Sequence, residues 1–162
     1  MPAMLARQGR PPRRATRYRL RPGAYAVLVR AGKVLLTEQQ MPGRVELQLP
    51  GGGIDPGEAV LPALHREVLE ETGHRCGGLV RLGAYRRFTF MDEYEIHAEK
   101  LCTIYLGTPG PLLGPPSEPG HRAVWIDGEA ALDRLWNPPD RAWLALGLRL
   151  AARGRGALRA AS

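Results

Sequence analysis

The stretch Gly51-Gly-Gly-Ile-Asp-Pro-Gly-Glu58-Ala-Val-Leu-Pro-Ala-Leu-His-Arg66-Glu67-Val-Leu-Glu70-Glu71-Thr-Gly73-His74 decides how the rest of the chain is read. Three consecutive glycines free the backbone for close approach to a neighbour. Asp55-Pro-Gly-Glu58 then forms a turn, and Ala59 to Thr72 has helical spacing, closed by Gly73 as the residue past the helix end. Pro62 falls in the first turn, where a missing backbone donor costs little.

At 100° per residue, Glu67, Glu70 and Glu71 share a sector of about 100° on this helix. Leu61, Leu64, Val68 and Thr72 fill the neighbouring sector, which is expected to face the core. Crowded acids repel one another, and in the C-terminal half of a helix they also oppose its dipole, so stability alone does not select them. A hard cation such as Mg²⁺ or Mn²⁺ reverses that balance, because oxygen ligands are what it binds best. The plainer alternative is a solvated charged face, with Arg66 and Glu70 as an ordinary i,i+4 pair.

The spacing discriminates between the two. Five residues separate Gly52 from Glu58 and seven separate Glu58 from Arg66, after which Glu67-Val-Leu-Glu70-Glu71-Thr-Gly73 follows without a gap. This resembles the Nudix box, Gly-x5-Glu-x7-Arg-Glu-aliphatic-x-Glu-Glu-x-Gly-aliphatic, at every position but the last, where His74 replaces an aliphatic residue. The resemblance implies an α/β fold, an α/β/α sandwich with a mixed β-sheet, and a metal-dependent hydrolase cutting a pyrophosphate bond in a nucleoside diphosphate linked to another group. Metal ligands would be Glu67, Glu70, Glu71 and the Gly52 carbonyl, for Mg²⁺ or Mn²⁺. Arg66 would orient the glutamates and Glu58 would hold the loop against the helix. The family often takes its general base from a loop beyond the box, where Glu118 stands, with Glu71 and Glu93 as alternatives. His74 is expected to be a tolerated substitution at the helix exit.

Substrate identity is less legible. Family substrates include nucleoside triphosphates, ADP-sugars, dinucleoside polyphosphates and capped RNA. Leu47 to Glu58 is similar to ADP-ribose-type members, yet Thr89, Phe90 and Met91 occupy the region where ADP-sugar pyrophosphatases often carry a proline. Of the aromatic residues Tyr85, Phe88, Phe90, Tyr94 and Trp125, Phe88 and Tyr94 are the candidates for substrate contact. Arg86 is the candidate phosphate or sugar ligand, beside Arg87.

Outward from the box, Ala24–Arg30 and Lys33–Thr37 read as a hairpin across Ala31-Gly32, and Val45–Leu49 as a third strand stopped by Pro50. Leu79–Phe90 and Glu95–Leu106 read as strands joined through Met91–Tyr94, and the proline- and glycine-rich Gly107–Gly120 as a loop. Ala123–Ile126 is a short strand, Gly128–Leu135 a helical turn or two, and Arg141–Arg153 a helix apolar nearly all round, which suits packing against the sheet.

The chain has 162 residues, 44% of them hydrophobic, enough for one domain with a real core. Residues 1–22 read as a basic, flexible tail, 23–154 as the domain and 155–162 as a second tail. Seven arginines between positions 7 and 21 match the net charge of +7, so the remainder is formally neutral. Such a tail suits an acidic partner or nucleic acid. An RNA 5′-end pyrophosphohydrolase, a noncatalytic nucleotide- or RNA-binding regulator, and a metal-free interaction domain are the competing readings. Two cysteines, Cys76 and Cys102, exclude a disulfide framework and favour a reducing compartment. No apolar run reaches the roughly 20 residues of a membrane span, so a soluble cytoplasmic protein is expected, with a homodimer left open.

Overall fold

The structure, a computed structural model, describes residues 5–160, with side chains through residue 154. The remaining predicted tail positions, 1–4 and 161–162, lie outside the described residues.

A mixed sheet carries the fold. Its strands are β1 (Arg19–Arg30), β2 (Lys33–Met41), β3 (Arg44–Gln48), β4 (Gly51–Gly53), β5 (His74–Met91), β6 (Ile96–Leu112) and β7 (His121–Asp127). The main path is β3-β2-β1-β6-β5, with β4 paired to β1 and β7 to β2. β1 and β6 run parallel from Arg19↔Ala98 to Leu28↔Gly107, while the other pairs are antiparallel. The helices are α1 (Val60–Thr72), α2 (Gly128–Ala131) and α3 (Pro138–Ala160), with a 3₁₀ turn at Asp92–Tyr94.

Period-2 alternation along β1 separates the two helical layers. Ala24, Ala26 and Leu28 point to one face, where they pack with Leu35 and with Leu64 and Val68 of α1. Val27 and Val29 point to the other, into a cluster with Leu36, Ile104, Ala131, Leu135 and Leu144. Each wholly buried Leu or Val contributes about 1.5–3 kcal/mol, so Leu64 and Val68 alone give α1 a firm seat. On the opposite face Gly147 brings α3 close to β1: a Cβ there would stand 2.7 Å from Val27 Cγ1.

Several bounds differ from the sequence reading. The triglycine corner is a short strand, with Ala24↔Gly52 in register. Gly107–Leu112 continues β6 rather than opening a loop, because β5 begins at His74, directly after the helix, and supplies pairing partners as far as His74↔Leu112. The shorter segment 113–120 remains as loop. Leu61 is 42% exposed, whereas Ala63, placed on neither face by the angular reading, is buried. β1 begins at Arg19, inside the expected basic tail, and α3 reaches Ala160, through most of the expected C-terminal one. Residues before β1 lie along β5: Gln8 N donates to Arg86 O (2.8 Å) and Arg86 N to Ala6 O (3.0 Å). Among the described residues no helix is long and apolar enough to cross a membrane.

Candidate active site

α1 is placed by its two ends. Gly73 adopts φ 71° and returns its N–H to Leu69 O, closing the helix with a left-handed residue. At the other end Glu58 Oε1 accepts from Asp55 N (3.1 Å), tying the entering turn. Between them Arg66 works as a hub. Its Nε donates to Glu58 Oε2 (2.9 Å), its Nη1 to Glu67 (2.9 Å) and Glu70 (3.1 Å), and its Nη2 to Gly53 O (3.1 Å). The guanidinium holds the Glu58 carboxyl down at about 2. Hydrogen bonding to Glu58 in turn raises the pKa of Arg66.

Glu67 packs directly on the glycine corner: a Cβ on Gly52 would lie 2.6 Å from its Cδ. Only glycine leaves that carboxylate its position. The Gly52 carbonyl faces β1, where a Cβ on Gly23 would approach it to 3.0 Å. Glu71 is 7% exposed and so is no part of a solvated charged face, because Gly51 of β4 and His121 of β7 close over the last turn of α1. Its Oε2 accepts from Gly51 N (3.1 Å), and its Oε1 stands 3.7 Å from His121 Nδ1. Burial lowers the pKa of His121, so at neutral pH this contact is polar rather than ionic. Burial, and after it the charges of Glu67, Glu118 and Glu70, push Glu71 up to about 8 against the opposing Gly51 N–H. Burial likewise raises Glu67.

Glu67, Glu70, Glu71, Arg66 and Gly52 line one wall of a cavity of about 540 Å³. Glu118 joins them, its backbone N donating to Glu70 O (2.9 Å). Glu58 stands behind Arg66. Tyr94, with Arg21 over its ring, and Glu93 border the same cavity. Arg86 and Phe88 lie outside it: Arg86 pairs with Glu99 at 3.4 Å and sits over Phe88, while its neighbour Arg87 lines the cavity. In a strand, neighbouring side chains alternate in direction, which separates Arg86 from Arg87. His74 is buried elsewhere, its Nδ1 3.0 Å from Gly110 O and its ring edge-on to Trp125.

Of the inner wall, sequence reasoning weighed only Tyr85, as one of five aromatic residues. Tyr25, Tyr85, Lys100, Cys102, Asn137 and Asp140 meet there. Tyr85 donates to Asp140 Oδ1 (2.9 Å), and Asn137 Nδ2 donates to the Tyr85 hydroxyl (2.9 Å), while the Asn137 Oδ1 atom is buried without a partner. Burial raises Asp140 despite those bonds. The only available signal was Asn137-Pro-Pro-Asp140, a helix-start pattern three residues earlier than the predicted start of α3.

The match to a family model decides the kinship: residues 19–147 fit the NUDIX domain. The chain belongs to the Nudix family. A Mycobacterium tuberculosis (strain H37Rv) protein provisionally named 8-oxo-dGTP diphosphatase 2 is 31% identical over 127 residues, covering 73% of this chain and 81% of its own. A Bacillus subtilis protein provisionally named 8-oxo-dGTP diphosphatase is 46% identical over 48 residues, 30% of this chain and 32% of that protein, so the match spans about a third of the relative. Among solved structures, a Nudix hydrolase from Nitrosomonas europaea superposes with a TM-score of 0.66 at 24% identity, covering 82% of this chain and 90% of the other. The α/β fold with a mixed sheet is thus that of Nudix hydrolases, and the stretch from Gly52 to His74 is their box.

Proposed function

We propose that this Nudix protein hydrolyses a phosphoanhydride bond in a nucleoside triphosphate, with oxidised purine nucleotides such as 8-oxo-dGTP as the first substrates to test. One observation carries the reading: the box glutamates, Gly52 and Glu118 share a wall of a cavity of about 540 Å³, within the size range of small-molecule sites. The names of the M. tuberculosis and B. subtilis relatives support the substrate class.

Nudix hydrolases generally use a divalent metal, and the donor set here suits Mg²⁺ or Mn²⁺. Every side chain offered by α1 to the cavity, apart from Arg66, is a carboxylate. Burial, and after it the neighbouring carboxylates, raise the pKa of Glu67 and Glu71, and a bound cation would favour their ionised forms. Arg66 meanwhile bridges Glu67 and Glu70, and among the described residues no three His, Cys, Asp or Glu side chains are gathered as a ligand cluster. Loading therefore calls for Glu67 or Glu70 to turn away from Arg66, which keeps its paired bonds to Glu58. A bound cation would neutralise phosphate oxygens and acidify a water. Glu67, Glu70, Glu71 and the Gly52 carbonyl would hold it.

Across the cavity Arg87 and Lys100 provide positive charge for orienting a polyphosphate, while Arg44 is paired with Glu46. Glu118, carried on the loop bonded to Glu70 O, is the proposed acceptor of the proton lost by the attacking water. The deciding experiment is turnover of 8-oxo-dGTP, dGTP, ADP-ribose and dinucleoside polyphosphates with Mg²⁺ or Mn²⁺, repeated with Glu70→Gln. Hydrolysis that is insensitive to that change, or absent for every nucleotide, refutes the reading.

A further inference from the structure

A second concavity, about 1160 Å³ in volume, lies between the segment preceding β1 and β5. The catalytic carboxylates take no part in it. It shares Arg87, Thr89, Phe90 and Asn137 with the catalytic cavity, so the two form one continuous depression. Arg10, Arg13 and Arg87 contribute cations to the second groove, and its described lining holds no carboxylate. None of the three arginines forms an ion pair among the described residues. Three uncompensated guanidiniums around one concavity make a site for an anion with several charges spaced along it.

The rest of the lining narrows the class. Phe90 is 48% exposed, an apolar ring left open to solvent at the junction of the two depressions. Tyr18 packs edge-on against Phe88 (4.9 Å between centroids) and His97 (5.6 Å), and Phe90 packs against His97 at 5.0 Å. The aromatic cluster thus braces the exposed ring in place. The segment that brings Arg10 and Arg13 here is itself tied down, by Gln8 N to Arg86 O (2.8 Å) and by Arg13 N to the Tyr18 hydroxyl (3.1 Å). Cations following a backbone beside a stacking ring are what unpaired nucleic acid requires, since its bases expose their π-faces and those of a duplex do not.

We propose that the N-terminal arginine segment and β5 form a binding groove for a single-stranded nucleic acid, with backbone phosphates on Arg10, Arg13 and Arg87 and a base stacked on Phe90. This goes beyond nucleotide hydrolysis and is independent of it, because binding is read without turnover. Fluorescence anisotropy of the full chain in EDTA, with labelled oligouridylate and oligothymidylate of about twelve nucleotides, tests it against a duplex of equal length and a heparin fragment. Three phosphate contacts predict a log–log salt slope near −2, a loss of about twentyfold between 50 and 200 mM salt. Arg10→Gln/Arg13→Gln should flatten that slope by about 1.4, and Arg10→Lys/Arg13→Lys should restore most of it. Phe90→Ala should weaken binding by about fivefold or more, with Phe90→Trp retaining it and thermal melting confirming that each variant is folded. Equal or tighter binding of the duplex or heparin overturns the proposal. An unchanged slope in the double Gln variant, unchanged affinity in Phe90→Ala, or no binding at 50 mM salt does the same.

Discussion

Replacing Gly52 with alanine adds a single methyl group, and its consequences follow from measured contacts. The new Cβ would lie 2.6 Å from Glu67 Cδ and from one carboxylate oxygen. To regain an ordinary contact of 3.4 Å the carboxylate must retreat by about 0.8 Å. The backbone is not the obstacle, since Gly52 is not among the positive-φ residues. Because the obstructing atoms are the end of a flexible side chain, the cost to stability should stay below about 1 kcal/mol, partly offset by the entropy that glycine gives the unfolded chain. Catalysis is less forgiving. A displacement near 1 Å of a positioned group can cost about a hundredfold, so kcat/KM for the proposed triphosphate substrate should fall by that order while the melting temperature moves by no more than a few degrees. Steady-state kinetics and thermal melting of purified Gly52→Ala measure both, beside Gly53→Ala, whose Cβ meets nothing within 4 Å and which should keep most of its activity. A Gly52→Ala enzyme as active as the wild type would refute the placement of Glu67 against the corner as a requirement of catalysis.

Other outcomes follow from the same geometry. Glu70→Gln and Glu71→Gln should each lower kcat by orders of magnitude with the fold retained in circular dichroism, and calorimetric titration of Mg²⁺ or Mn²⁺ into Glu70→Gln should lose the binding event of the wild type. Glu58, held at about 2 against an ordinary 4.5, adds stability above pH 4.5 that disappears as pH falls towards 2; melting curves of Glu58→Gln should show a shallower acid limb than wild type. Asp140 has its pKa raised by burial, so its contribution is largest at low pH and declines as pH rises through its folded value. Asp140→Asn, which keeps an acceptor for Tyr85, should melt at or above wild type at pH 8, whereas Asp140→Ala leaves the proton of that buried hydroxyl without its acceptor and should cost about 1–3 kcal/mol; melting both across pH separates the two effects.

The box was legible because its information is local. Helical period, the turn at Asp55–Glu58 and the stop at Gly73 specify α1 without reference to the rest of the chain, and α1 with its three glutamates appears where that pattern puts it. The long strands were misjudged for the opposite reason. Gly107–Leu112 is full of breakers by composition, yet pairing with residues 74–80 holds it in β6, and no local signal reveals a partner so far away in sequence. Burial of Glu71 escaped notice similarly, since Gly51 and His121 approach it from elements separated from α1. The inner wall of the cavity is assembled from Tyr25, Lys100 and Asp140, three residues with no mutual spacing, so only tertiary structure brings them together.

The loop at 113–120 draws on carbonyls that a helix ordinarily leaves to solvent. Gly73 O accepts from Leu113 N and Glu70 O from Glu118 N, both at 2.9 Å, and the far end is fastened by Gln40 N to Gly120 O at 2.8 Å. Fastened to the end of α1 at two points and to β2 at a third, the loop bridges helix and sheet, and Glu118 can leave its place beside the box glutamates only if its main-chain bond to Glu70 is given up.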